Sequence, residues 1–456
     1  MNTYTKFDKL FILLLLTLVA VFGLLFLRII PPFQSPDEFD HVKRAYMLSR
    51  GVFFLETRKG ESTGGMVDTA LLNFMEKFTN LPFKPLNKIN REETSSASTI
   101  RWSGLETYST APGTGYYFPL IYTPQAIGLF VGRTLNLTVY SSYQLARTCN
   151  IAVSLALLWI AFSYWPCSPL LAALLILPMS LFQLTSACID YTSISLTALL
   201  ISIFLYISDS AKDEKEKLFY IMTFLISVIS SCRLQMLPVF ALVIMSCFNP
   251  FRWRKMLFGF FSLVGVLYWT LYSIVNTADL RVSQDASKVD IIFFYLNNPV
   301  KFIAVLCNTL SSRELISWYT SGLLGRLGWL DIAFSDSQYI FLLICLSLTI
   351  VLSISIKTFA SMKIERFLIL LASIVSIFIV FASMLIGWSK HPAQIISGVQ
   401  GRYFTLPFIL FSFSISSTWK GHDSIYRRIG LSLNAVFIIF AALVMPIAII
   451  YRYYLG

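Results

Sequence analysis

Along most of this chain apolar residues gather in runs close to twenty long, the length that spans the hydrocarbon core of a bilayer. The first run, 10–27, follows Lys6 and Lys9 and passes into Arg28-Ile29-Ile30-Pro31-Pro32 without a small-residue cleavage site. It therefore reads as a retained span and not as a removed signal peptide. Further runs cover 118–134, 144–164, 169–188, 192–207, 218–232, 235–248, 256–275, 338–356, 367–388, 403–418 and 429–451. Segment 298–335 is ambiguous, because Arg313, Glu314, Arg326 and Asp331 interrupt its apolar stretches.

The pattern changes between Pro31 and about Tyr116. That stretch holds ten acidic and ten basic residues, many Ser, Thr, Gly and Pro, and no span-length run. Its two apolar-periodic pieces, Phe39 to Leu48 and Met66 to Phe78, are too short to span and predict amphipathic helices at the interface.

Charge sets the sidedness. Basic clusters at Lys212/Lys215/Lys217, Arg252/Arg254/Lys255, Lys357/Lys363/Arg366 and Lys420/Arg427/Arg428 belong on the cytoplasmic side. They all fall there only if one early run does not cross. The run 118–134, with Pro119, Pro124 and Arg133, is short enough to lie along the outer surface. The expectation is an all-α polytopic membrane protein of about eleven transmembrane helices, N-terminus inside and C-terminus outside. Its units are the first span, 1–30; an extracytoplasmic loop with juxtamembrane helices, 31–143; spans two to seven, 144–275; a second extracytoplasmic segment, 276–337; and the remaining spans, 338–456.

Composition supports this and removes other classes. Of 456 residues 56% are apolar and 13% charged, against roughly 25% charged in soluble domains, and mean hydropathy is +0.70. A water-soluble enzyme is excluded. The net charge of +12 marks cytoplasmic loop ends and not a nucleic-acid surface. The seven cysteines are scattered and form no CxxC, which disfavours a disulfide framework or zinc site. Walker A, GxGxxG, GxSxG and HExxH patterns are absent, and His41, His391 and His422 are too widely spaced for a histidine metal site.

The candidate chemistry lies on the outer side. Ser35-Pro36-Asp37-Glu38-Phe39-Asp40-His41 follows the first span. Ser35 suits an N-cap and Pro36 the first helical position, so Asp37 and Glu38 can simply decorate a helix start. They also stand at the membrane–water boundary, where a carboxylate can serve as general base or metal ligand. Asp190 is either the N-cap of the following span or a second acidic site on that interface. Arg147, Arg233 and Arg402 fall on the same side; each can be a snorkelling side chain, and together they supply the donor forks that a lipid phosphate needs. Gly398 and Gly401 beside Arg402 permit close backbone approach or a plain turn.

The order of these elements resembles the GT-C class of integral-membrane glycosyltransferases. The resemblance rests on the acidic pair after the first span, Tyr116-Tyr117-Phe118-Pro119-Leu120-Ile121-Tyr122, Ala146-Arg147 opening the next span, Asp190, and Gly398-Val399-Gln400-Gly401-Arg402-Tyr403. The pattern is similar to a bacterial polytopic branch near the O-antigen- and bacteriophage-associated glucosyl transferases. It implies transfer of a sugar, such as glucose, from a polyprenyl-phosphate-linked donor to a polysaccharide or O-antigen acceptor, at the outer face of the bacterial inner membrane, with inversion. By that resemblance Asp37, with Glu38 beside it, is the base or metal ligand, and Asp190 is the second acidic position. Arg402, with Arg147, Arg233 and Tyr403, holds the lipid phosphate, and Asp40, His41 and Tyr117 are further loop candidates. The chain departs from a DxD arrangement, so a divalent cation is left open as cofactor. The rival from another class is a transporter or flippase of lipid-linked sugars, which predicts paired repeats and ionisable residues at mid-span; no repeat is seen and the charges sit at span ends.

Overall fold

A computed structural model describes residues 6–209, 215–248, 252–282, 286–354, 363–416 and 425–455. Lys212, Lys357, Lys420 and His422 lie outside the described residues.

The chain is mostly helical. It opens with α1 (Lys6–Ile29), then α2 (Glu38–Ser49), α3 (Thr69–Glu76), α4 (Arg91–Thr99), α5 (Thr123–Thr134) and α6 (Val139–Tyr164). Next come α7 (Pro169–Ile176), α8 (Pro178–Leu184), α9 (Asp190–Asp209), α10 (Lys215–Cys232), α11 (Phe240–Cys247) and α12 (Trp253–Asn276). After these follow α13 (Lys288–Asn297), α14 (Pro299–Ser311), α15 (Arg313–Gly325), α16 (Asp336–Ser353), α17 (Ile364–Gly387), α18 (Thr405–Ile415) and α19 (Ile425–Tyr453). Among the described residues seven helices are long and apolar enough to cross a membrane: α1, α6, α9, α12, α16, α17 and α19. An eighth is added if α13 and α14, bent by 100° at their junction, count as one. In lipid a helix satisfies its own backbone, which is why runs of this composition fold this way.

Several apolar runs do not form single helices. The run 169–188 breaks at Leu177, whose helical conformation is disfavoured by Pro178 after it. The run 235–248 becomes a 3-10 turn, Leu234–Val239, and α11; the run 403–418 becomes a 3-10 turn, Gly401–Phe404, and α18. The run 118–134 forms a 3-10 turn, Pro119–Tyr122, and the twelve-residue α5, about 18 Å long.

The centre of the bundle is α7, α8 and α9. Every residue of α7 and α8 is buried, as is nearly all of α9. Ser193, Ser195 and Thr197 of α9 donate their hydroxyls to carbonyls four residues back, so these polar groups are satisfied inside an apolar core.

Contacts sort the helix ends into two groups. The Asp8–Arg427 ion pair, 2.7 Å, joins the starts of α1 and α19. At the opposite end Lys88 donates to the carbonyls of Tyr451 and Arg452 near the end of α19. The segment between α1 and α6 therefore lies over the end where α1 and α19 finish.

That segment departs from an all-α reading. Strand β1 (Gly64–Asp68) pairs antiparallel with β2 (Glu106–Thr110), Met66 opposite Tyr108. Met66 is thus in a strand, and the helix expected from it begins only at Thr69, where the Asp68 carboxylate accepts from the Ala70 amide. Gly64 lets the strands close, since a Cβ there would meet the Ser109 carbonyl. Phe33, fully buried among Phe39, Phe74, Phe78 and Tyr143, anchors the segment to α6.

Candidate functional site

After α1 the chain turns sharply before α2. Ser35 does not cap that helix. Its hydroxyl donates to Gln183 and its carbonyl accepts from Glu38 in a tight turn, so α2 starts two residues later than Ser35-Pro36 predicts. Asp37 takes the N-cap place with φ of 64°. This left-handed conformation is uncommon outside glycine, though aspartate tolerates it. The Asp37 carbonyl accepts the amides of Asp40 and His41, while its carboxylate makes no cap bond. The carboxylate is thereby free to face Arg402 and Arg281, and it stays 36% exposed.

Arg402 sits on the 3-10 turn before α18. Gly401 packs so closely on α15 that a Cβ would strike the Tyr319 carbonyl and the Leu323 amide, which fixes where Arg402 starts. All three guanidinium nitrogens are engaged: Nε donates to Gln400 Oε1 at 2.7 Å, Nη1 faces Asp190 Oδ2 at 3.5 Å and Nη2 donates to Asp37 Oδ2 at 2.8 Å. Its side chain is only 4% exposed. Asp190, at the first residue of α9, aims its other oxygen at Arg233 Nη2, 2.9 Å away. Both Asp190 oxygens therefore face guanidinium groups.

A second layer lies on the solvent side. Arg281 holds Asp279 through Nε and Nη2, at 2.9 and 2.7 Å, and its Nη1 lies 3.4 Å from Asp37 and 3.8 Å from Asp40. Lys43 pairs with Asp40 at 2.9 Å. Lys288 reaches the Tyr116 hydroxyl, and Arg281 lies over the Trp388 ring. Four carboxylates thus alternate with Arg233, Arg281, Arg402 and Lys43, drawn from segments far apart in sequence.

The aromatic candidates line this network. His41 Nδ1 lies 2.7 Å from the Tyr122 hydroxyl and the ring stacks on Tyr117. Tyr117 carries Arg233 over its face, and Tyr403 lies beside Arg402. Burial pushes His41 down to about 4 despite Asp37 and Asp190, so it is neutral near pH 7. Burial pushes Tyr117 up to about 12. Burial by itself would raise Asp37, but Arg402, with His41 and Arg281, outweighs it and holds the carboxyl below its ordinary value. For Asp40 burial wins over Lys43 and the carboxyl is raised.

Glu38 and Arg147 belong elsewhere. Glu38 is 1% exposed and accepts from the Tyr143 hydroxyl, the Ala187 amide and the Ser35 amide at 2.8, 2.7 and 3.2 Å. Burial raises its pKa although Arg147 opposes this. Arg147, equally buried, donates to the carbonyls of Thr185 and Ile30. These two tie the end of α1 to α6 and to the turn before α9, behind the charged network.

The sequence singled out Asp37, Asp40, His41, Tyr117, Asp190, Arg233, Arg402 and Tyr403, and the structure brings them together. It adds Asp279, Arg281, Lys43 and Gln400. Arg281 and Lys288 carried a usable signal, being basic residues in a stretch assigned to the outer face, where lysine and arginine are depleted.

The arrangement does not fit a shared cation. Arg402 stands between Asp37 and Asp190 and bonds both, so its charge occupies the position a metal bridging them would take. Among the described residues no group of three or more His, Cys, Asp or Glu is set to hold a metal ion. What the network can do is keep a solvent-facing carboxylate ionised beside cations just past the end of the first long apolar helix.

Comparison with curated proteins and with solved structures finds no match to this chain. The model of one protein family, described as "Predicted membrane protein (DUF2142)", matches residues 20–412, and with its long apolar helices the chain is a multi-span membrane protein belonging to that family.

Proposed function

We propose that this protein is an inverting glycosyltransferase that moves a sugar from a polyprenyl-phosphate carrier to a surface polysaccharide. In this reading the chain crosses the bacterial inner membrane eleven times, seven by single long helices and four by α7–α8, α10, the 234–247 segment and the 401–415 segment. The end carrying Asp37 faces the periplasm. The observation that carries the reading is the Asp37 carboxylate, open to solvent and held between Arg402 and Arg281.

The chemistry follows from that pairing. The acceptor hydroxyl oxygen attacks the anomeric carbon as the bond from that carbon to the phosphate oxygen breaks, and its electron pair leaves with the phosphate. The hydroxyl proton passes to Asp37. A carboxylate with a lowered pKa is a weak base, but the hydroxyl becomes strongly acidic once its oxygen bonds to carbon, so a late transfer suits it. The ionised carboxylate also stabilises positive charge building on the sugar ring.

The roles of the arginines shift from the sequence expectation. Arg402 is saturated by Asp37, Asp190 and Gln400, so it orients the base. The leaving phosphate is assigned to Arg281, whose Nη1 has, among the described residues, the long contacts of 3.4 and 3.8 Å, with Lys288 nearby. Tyr403 and Arg233 hold the network from behind. No step uses a metal. The test is mass spectrometry of surface polysaccharide from cells with and without the gene. Loss of one sugar substituent, restored by wild type and not by Asp37→Asn, is expected; identical glycans would overturn the assignment.

A further inference from the structure

We propose that an open groove along α15 binds an anionic glycerophospholipid of the surrounding bilayer, with its phosphate on Arg326. The groove offers about 720 Å³ to a water-sized sphere. Leu315, Trp318 and Tyr319 of α15 form one wall, and Ile395, Ile396 and Val399 the other. Ile316 and Ile395 beside it are 40% and 47% exposed. Apolar side chains so exposed offer hydrocarbon chains a surface to lie on.

The polar groups are unevenly placed along this trough. Glu314 stands at the start of α15 and Arg326 just past its end, about 18 Å apart along the helix. The carboxylate and guanidinium therefore mark opposite ends, and a phosphate placed on Arg326 avoids Glu314. Arg326 lies over the Trp318 ring, its guanidinium carbon 4.3 Å from the ring centre, which holds the cation at this end of the groove. Among the described residues its Nε is buried without an acceptor, and the buried hydroxyl of Tyr319, which lines the same groove, has no hydrogen-bond partner. Two unsatisfied buried donors beside apolar walls fit a ligand with acceptor oxygens and hydrocarbon chains.

The far boundary selects between lipids. Gln400 lines the groove and bonds Arg402 Nε at 2.7 Å, whereas Arg281, to which the donor phosphate is assigned, is not among the lining residues. A sugar donor must bring its anomeric carbon to Asp37, whereas a resident phospholipid need not. This favours a lipid of the bilayer over the polyprenyl-phosphate substrate.

The experiment is native mass spectrometry of the purified full-length protein in detergent, supplied with phosphatidylglycerol, phosphatidylcholine or farnesyl phosphate. Phosphatidylglycerol should be retained preferentially, one per chain, and Arg326→Gln should cut retention roughly tenfold, the scale of one charge-assisted bond. Arg326 also bonds the Tyr339 hydroxyl, so two variants avoid that contact. Ile395→Trp fills the groove from an exposed position, and Ser317→Glu places a second carboxylate in it; each should lower retention as much. Unchanged retention in both, or equal retention of phosphatidylcholine, would overturn the proposal. Preferential retention of farnesyl phosphate would overturn the choice of lipid and make the groove a substrate site. Because binding is read without transfer, failure here leaves the glycosyltransferase reading standing, and Asp37→Asn should retain phosphatidylglycerol like wild type.

Discussion

Two arginine–carboxylate clusters lie at the same end of this molecule and are built on different plans. In one, Arg452 donates twice to Asp331 Oδ2, at 2.9 and 2.7 Å, and gives its other bonds to the carbonyls of Leu81 and Asn87. Both side chains are under a tenth exposed. The pair closes on backbone and ties the end of α19 to the first loop. In the other, Arg281, Asp37, Arg402, Asp190 and Arg233 bond side chain to side chain, and one carboxylate remains over a third exposed on a left-handed backbone. A clamp needs its charges paired and hidden. A charge left open on a strained residue serves the fold poorly, and such exceptions gather where chemistry is done.

Mutation should separate the two clusters. Asp37→Asn should lower transfer about 10²- to 10⁴-fold, the usual loss of a general base, with thermal unfolding in detergent hardly moved. Arg452→Ala should do the reverse, costing about 3–5 kcal/mol of stability by stranding a buried carboxylate while transfer per folded molecule persists. If Asp37→Asn unfolds the protein, the first cluster is a clamp too.

The pH dependence sharpens the contrast. His41 has a folded pKa of about 4 against an ordinary 6.5. Below pH 6.5 the unfolded chain binds a proton that the folded chain refuses, so stability falls as pH drops toward 4. Between pH 7 and 5 wild type should lose about 2 kcal/mol relative to His41→Gln. Parallel pH profiles for the two proteins would mean that His41 is not held neutral by the fold.

Arg402→Lys tests geometry. A lysine keeps the charge but cannot join Asp37, Asp190 and Gln400 at once, so kcat should fall roughly tenfold with the donor KM unchanged. A rise in KM alone would return the phosphate to Arg402. The smallest effect belongs to Glu38→Gln, which should lower transfer by less than about fivefold, because Glu38 bonds Tyr143, Ala187 and Ser35 behind the network. A larger loss than in Asp37→Asn would exchange their roles.

Much of this was legible in sequence, for physical reasons. An apolar run such as 10–27 must satisfy its backbone internally in lipid, so α1 follows directly. Asp37, Asp190, Arg233 and Arg402 converge because each stands at a span end assigned to one side. Breaks inside runs were harder to read, since Pro178 and Pro238 interrupt helices without lowering their hydropathy. The β1–β2 pair was hidden because Met66 to Phe78 keeps a helical period across the strand end. Arg147 shows the opposite limit: its place beside the outer interface matched Arg402, but only packing reveals that its donors meet the carbonyls of Thr185 and Ile30.

The most direct test is a transfer assay with purified protein in lipid vesicles, a synthetic polyprenyl-phosphate sugar and extracted surface polysaccharide. Wild type should release polyprenyl phosphate and form a glycosidic bond of inverted configuration, and Asp37→Asn should lose both while remaining folded. Transfer by Asp37→Asn at the wild-type rate would contradict the account.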